Sequence, residues 1–444
     1  MNLVYGVKDK PKFSQMLIFA FQQVLAILAA TIAVPSIIGN GMSQSAALFG
    51  AGVGTLVYQL FTRRNSPVFL GSSFAFIGSM FAAFGGAAST AAGYAGLILG
   101  AGFAGLVYVV IALVVKAVGV NWINKLMPPV VIGPTVAIIG LSLAGNAVGD
   151  LTTGKVLVDG VSACSPYVAL ICGLVTLFAV IIISVYGKKM AKLIPFILGI
   201  LAGYVVATVF TVIGIATANP ALQVIDFSVF SGMQIFAIPD FTFGMASKGL
   251  ADIDGAFIAT VAVAYIPVAF VVFAEHIADH KNLSSIIGQD LLADPGLHNT
   301  LLGDGIGSFA GAIFGGCPNT TYGESVGCVA ITRNASVATI TTAAVLCLLI
   351  SFFGPFVTFL ASIPNCVMGG VCITLYGFIA VSGLKMIQQV NLGASKNLFV
   401  AAVILITGIG GLSVSFGKVT LTAIACALIL GIVTNILVSK GSDD

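Results

Sequence analysis

Only two glutamates occur among the 444 residues, Glu275 and Glu324, and each is set in an apolar stretch. Ionisable groups inside membrane segments are costly and by default mark substrate or proton sites. Glu275 stands in Phe273-Ala274-Glu275-His276 and is followed one helical turn later by Asp279. The i, i+4 spacing puts both carboxylates on one helix face. Two carboxyls in one poorly solvated site resist ionising together, so one of them keeps a proton within reach of neutral pH. That is the property a proton-coupled carrier needs. Asp279 either shares this site or caps the cytoplasmic end of its helix, and both readings stand on spacing alone. The third acid is Glu324, in Thr321-Tyr322-Gly323-Glu324-Ser325.

The elements that carry these acids are membrane spans. Apolar residues make up 59 % of the chain and charged ones 7 %, against about 25 % charged in soluble domains. Mean hydropathy is +1.13, which excludes a soluble enzyme with a large core. The basic residues are dispersed, so no nucleic-acid patch exists. Fifty-three glycines suit close helix packing. Met1–Lys12 is polar, and the apolar run after it is too long for a cleavable leader. The eight cysteines show no zinc or disulfide spacing and read as small packing residues.

At about 20 apolar residues per crossing, eleven spans are clear, Val130–Val148 and Ser336–Phe359 among them, and three are weaker, Val68–Phe84, Leu301–Gly316 and Cys317–Ile331, fourteen in all. The eighth is expected over Ala256–Ala274. With Met1 in the cytoplasm, 15 of the 18 basic residues fall on the inner side, leaving Lys155, Lys248 and Lys418 outside. Both termini are then cytoplasmic. Fourteen divides into two repeats of seven, and an odd repeat makes the second inverted. The two interrupted spans, the third and the tenth, stand seven apart. They read Leu70-Gly71-Ser72-Ser73-Phe74-Ala75-Phe76 and Cys317-Pro318-Asn319-Thr320-Thr321-Tyr322-Gly323-Glu324. Broken segments at matching places in two halves point to a transporter binding site. Ser72, Ser73 and Phe74 are expected to line the route, with half-helix N-termini behind them. The expected fold is therefore an all-α polytopic membrane protein with two inverted repeats.

Other polar residues are assigned elsewhere. Asp150, Asp159, Asp226 and Asp240 fall in outer loops, Asp290 and Asp294 in an inner loop. Asp304, in the weak ninth span, is a packing residue or a functional one. His276, His280 and His298 lack metal spacing and are expected at the interface.

The same motifs carry a resemblance. Ala274-Glu275-His276, Asp294-Pro295-Gly296-Leu297 and Pro318-Asn319-Thr320-Thr321-Tyr322-Gly323-Glu324, closing on Gly327 and Thr332-Arg333, resemble the nucleobase–ascorbate transporter family, in particular its uracil permeases. Gln22-Gln23 and Leu375-Tyr376-Gly377 extend the likeness along the whole chain. The resemblance implies a core domain (1–118 and 250–362) and a gate domain (119–249 and 363–444). It implies that Glu275 and Glu324 bind the ring N–H and carbonyl edge. The amides of Phe74 and Gly323 would meet the base's carbonyls, and Phe74, Tyr322, Tyr376 and Ala30 would shape the slot. It further implies a plasma-membrane symporter for uracil and protons, with no cofactor or metal, working as a homodimer in the bilayer. Glu275, Asp279 and Glu324 would carry the coupling. Three positions depart from the family pattern: Asp279 where some uracil carriers have histidine, Ser325 where asparagine is usual, and Gln23 where histidine is common.

Uracil offers N–H donors and carbonyl acceptors on a flat neutral ring, the complement of carboxyls and backbone amides. No Walker-type phosphate loop is present, so an ion gradient drives transport. The rival cargoes are xanthine or another purine. An anion exchanger of this architecture conflicts with a carboxylate at Glu324, and an intramembrane aspartyl protease needs paired aspartates. A channel does not need an occluding pair of broken helices.

Overall fold

The structure, a computed structural model, describes residues 3–119, 122, 128–158, 161–188, 190–416 and 419–439. Met1, Lys125, Asp159, Lys189, Lys418, Lys440 and the Asp443–Asp444 tail lie outside the described residues, and with them both ends of the chain.

Each of the eleven clear apolar spans falls mainly on helix, whereas the weaker Val68–Phe84 and Cys317–Ile331 each carry a short strand ahead of their helix. Among the described residues, seven helices are long and apolar enough to cross a membrane: Phe13–Ile38, Thr90–Val118, Pro129–Asp150, Pro166–Tyr186, Pro195–Ala216, Gly255–Ile287 and Asn365–Ile387. Val337–Ile350, Ser395–Ile409 and Ala423–Val438 are shorter apolar helices. Hydroxyl and carboxylate caps start several of them. Ser43 accepts from the Ala46 amide, Ser89 from Ala92 and Asp254 from Phe257, which satisfies otherwise orphaned N–H groups.

Three expected spans come out differently. Val130–Val148 divides at Leu143 into Pro129–Ser142 and Ala144–Asp150. Ser336–Phe359 breaks after Ile350 and resumes as Gly354–Ser362. At that break the backbone bonds to the segment around Phe236, Ala237 N–H to Phe352 C=O at 2.9 Å and Gly354 N–H to Ile235 C=O at 2.8 Å. The eighth helix does not stop at Ala274 but runs 33 residues to Ile287, ending at Gly288 with φ 71°. Asp279 is therefore two turns inside a helix, and the capping role falls.

Helix contacts recur with the halves of the chain exchanged. Gln44–Phe61 packs on Val337–Ile350 as Leu297–Gly315 packs on Thr90–Val118, and the helices Phe13–Ile38 and Gly255–Ile287 each contact the other half's short helix, Gly323–Thr332 and Ile77–Gly85. Pro166–Tyr186 with Pro195–Ala216 is matched by Ser395–Ile409 with Ala423–Val438. This is the packing of two inverted repeats. The first helix has 72 % of its apolar window buried and Pro166–Tyr186 only 28 %, so the first helix lies in the packed centre and much of Pro166–Tyr186 lies on the outside of the bundle.

At the centre, Gln44–Phe61 and Leu297–Gly315 meet backbone to backbone. A Cβ on Gly50 would stand 2.4 Å from the Gly311 carbonyl oxygen, and one on Gly54 2.8 Å from that of Gly307. Small residues four apart on both helices permit this approach. The Asn319 side chain closes the crossing by donating to Gly50 C=O at 3.0 Å.

Candidate functional site

The two interrupted spans meet. Leu70–Ser72 and Asn319–Thr321 pair as antiparallel strands, with Leu70 opposite Thr321, Gly71 opposite Thr320 and Ser72 opposite Asn319. All six residues are buried. Extended backbone survives at membrane depth only where its polar groups find partners, and here each break supplies the other's. Ser73 N–H adds a bond to Pro318 C=O at 2.9 Å and Tyr322 N–H one to Phe69 C=O at 3.3 Å. Short helices leave the strands, Ile77–Gly85 and Gly323–Thr332. Glu324 sits in the first turn of the second, where the unpaired amides and helix dipole favour a negative charge.

Tyr322 ties the breaks a second time. Its hydroxyl donates to Ser72 C=O at 2.7 Å, and its ring covers Gly71, where a Cβ would come within 2.4 Å of the ring. Gly71→Ala is therefore expected to displace the ring and break the Ser72 bond. Overpacking of this kind costs roughly 1–3 kcal/mol, and the variant should show a lowered melting temperature in detergent together with lost uptake. A variant that transports normally would show that the ring contact has no functional weight.

Beside the strand pair lies a cavity of about 420 Å³. Glu275, Asp279 and Glu324 all line it, together with Ser73, Phe74, Tyr322, Gly323, Phe196, Phe378 and Met386. The sequence-derived set is thus largely brought together. Three members are not on the wall. Ser72 is buried in the strand pair opposite Asn319. Tyr376 stands one layer back, its ring edge-on to Phe74 with centroids 6.0 Å apart. Ala30 is buried in the packed interior of the first helix. Asp279 Oδ2 accepts from Thr321 Oγ1 at 2.6 Å, so the helix acid is fixed to the tip of the broken span. Ser325, behind Glu324, accepts a short bond from the Gln23 amide of the first helix; two positions that depart from the family pattern are bonded to each other.

Phe74 is also a wall of a second cavity of about 320 Å³, which shares Phe81 and Asn146 with a third of about 880 Å³. The third is lined by Asp150, the last residue of the Ala144–Asp150 helix and not in a loop as expected, and by Lys155 and Asp240 from connections.

Behind the acids lies a polar cluster that sequence reasoning did not find. His276 Nδ1 pairs with Asp304 Oδ2 at 2.6 Å and His276 Nε2 with Thr300 Oγ1 at 2.9 Å. The Thr300 hydroxyl is spent on Leu297 C=O at 3.0 Å. His280 Nδ1 bonds the His276 carbonyl at 2.8 Å and its Nε2 meets the Tyr58 hydroxyl at 2.7 Å. His276 and His280 are therefore buried core groups, not interfacial ones, and Asp304 has a partner instead of being a lone packing residue. Their signal in the sequence was present but incomplete: His276 and His280 share the helix face spacing of Glu275 and Asp279, whereas Asp304 stands 28 residues from His276.

Two broken helices meeting beside a three-acid cavity, in a bundle of membrane-length helices, define a multi-pass membrane transporter. A family model described as a permease family matches residues 14–417. The uracil permease of Bacillus caldolyticus is 38 % identical over 98 % of this chain and 94 % of its own length. That of Escherichia coli K12 is 32 % identical over 96 % and 92 %. The chain belongs to this permease family. Among solved structures, the transmembrane domain of a cyanobacterium bicarbonate transporter shares the fold with TM-score 0.63 at 17 % identity, covering 97 % of this chain and all of that one. Murine solute carrier 26 member A9, an anion transporter in the inward-facing state, does so with TM-score 0.65 at 12 % identity, over 97 % of this chain and 69 % of that one.

Proposed function

We propose that the protein is a proton-coupled symporter that imports uracil across the plasma membrane by alternating access. The observation that carries this is the cavity itself, where Glu275 and Glu324 face the two broken spans. Carboxyls accept from the ring N–H groups, while amides at Phe74 and at the start of the Gly323–Thr332 helix donate to the carbonyls. Near-full-length similarity to uracil permeases supports uracil above xanthine or another purine. Anion transporters share the fold, but three acids on one cavity wall repel an anion.

In this reading the chain crosses the bilayer fourteen times with both termini in the cytoplasm. The core domain is 1–118 with 250–362 and the gate domain 119–249 with 363–444, a division supported by which helices pack together. The route runs through the three cavities, with Phe74 between the binding cavity and the outer ones. Protons couple through Glu275, Asp279 and Glu324, and the working unit is a homodimer.

Uptake of radiolabelled uracil into vesicles, competed with uracil, xanthine, guanine and sulfate, tests the cargo. Competition by xanthine at least equal to that by uracil, or by sulfate at all, overturns it. Ser73 tests the route. A cysteine placed there should react with a thiol reagent and be protected by uracil; equal labelling with and without substrate would reduce the Gly71–Ser73 segment to a packing contact.

A further inference from the structure

Thr321 does something that neither substrate contact nor strand pairing requires. Its hydroxyl donates to Asp279 Oδ2 at 2.6 Å, and both residues line the binding cavity. Its backbone has no freedom to follow the carboxyl, because it is paired with Leu70 in the buried strand and Tyr322, the next residue, is tied to Ser72. A β-branched side chain in a strand is also stiff about χ1. The hydroxyl is therefore a fixed point.

A carboxylate can only accept hydrogen bonds, whereas the protonated acid gains an O–H donor beside its remaining acceptor oxygen; a hydroxyl can serve in either sense. An N–H donor could stay bonded to the protonated acid only at its acceptor oxygen and could not take the new O–H. Thr321 can stay bonded to whichever oxygen meets it, donating to an acceptor oxygen or accepting from the new O–H, with no heavy atom moving. The groups that surround Asp279 make such a partner matter. Glu275, His276 and His280 share its helix, Glu324 faces it from the Gly323–Thr332 helix and Asp304 from the Leu297–Gly315 helix. Tyr108 of the Thr90–Val118 helix lies in the same field. None of these is a hydrogen-bond donor to Asp279 in the structure, while Thr321 is.

We infer that Thr321 is a positioning residue for coupling: it holds the Asp279 carboxyl in one place on the cavity wall through both of its protonation states. This rests on the proton-coupled reading above, and the test separates the two. Thr321→Val keeps the shape and removes the hydroxyl; Thr321→Ser keeps the hydroxyl. Each is compared with wild type in proteoliposomes for uracil counterflow exchange, and for accumulation under an imposed pH gradient across a range of external pH. The Val variant is expected to lower the ratio of accumulation to exchange about tenfold and to displace its pH profile by about one unit, the shift that corresponds to a tenfold change in protonation. The Ser variant should hold both within about twofold, well inside that unit. A Val variant with the wild-type ratio and profile overturns the inference, as does a Ser variant that fails like Val. Wild-type accumulation that ignores the pH gradient overturns the coupling reading itself, and the inference with it.

Discussion

Glu324→Ala is expected to weaken uracil binding by up to roughly 150-fold while leaving a protein that purifies folded. Glu324 is the third acid on the cavity wall and stands in the first turn of a helix whose amides open onto the same space. In the proposed complex it accepts a ring N–H. Its loss leaves that N–H without a partner in a desolvated cavity, at a cost of about 1–3 kcal/mol, or roughly five- to 150-fold in affinity. The cavity also loses a carboxyl that orders the base against the amides, so the larger end of that range is expected. The fold should survive, since the strand pair is held by its own backbone bonds and by Tyr322. Equilibrium binding in detergent, with melting temperature as the control for folding, is the measurement. Unchanged uracil affinity would remove Glu324 from the site.

The second large effect separates binding from energy coupling. Glu275→Gln cannot release a proton, yet its amide can still accept a hydrogen bond. Counterflow exchange of uracil should therefore persist, whereas accumulation against a gradient should be lost. Asp279→Asn acts differently. It deletes the negative charge one turn from Glu275, and with it the mutual resistance of two carboxyls to ionising together. Uptake by that variant should require a more acidic exterior than wild type needs. Uptake measured against external pH for wild type and both variants decides the matter. Accumulation by Glu275→Gln under a proton gradient would pass the coupling role to Asp279 or Glu324.

Much of this arrangement could be read from residue type and spacing. The apolar runs located the helices because a bilayer demands length and hydropathy, and both are local properties. Glu275 and Glu324 stood out because burying a carboxyl without a use for it is costly. The i, i+4 spacing placed Asp279 on the face of Glu275, although spacing could not say where the helix ended; the polar run after Ala274 resembled a terminus. What was not legible depends on contacts between distant segments. The strand register between the breaks has no side-chain periodicity in three-residue strands to announce it. Asp304 sits among glycines in a weak span, and only the crossing of two helices brings it to His276. Tyr376 and Ala30 were placed on the slot through resemblance, and the structure puts one behind Phe74 and the other inside the first helix.

The pairing of the two breaks also bears on how the protein is made. Ser72 and Tyr322, which meet at the site, are 250 residues apart. At ordinary rates of synthesis roughly ten to fifty seconds separate their emergence from the ribosome. During that interval the Leu70–Ser72 segment has no strand to pair with, and Gly71 has no ring above it. The first half must wait in the membrane with an unfinished centre until its counterpart is inserted the other way up. In the proposed mechanism the site is thus completed late, when the Asn319–Thr321 strand docks. A chain cut between the halves should regain function when both pieces are expressed together, because no covalent continuity is needed across the strand pair.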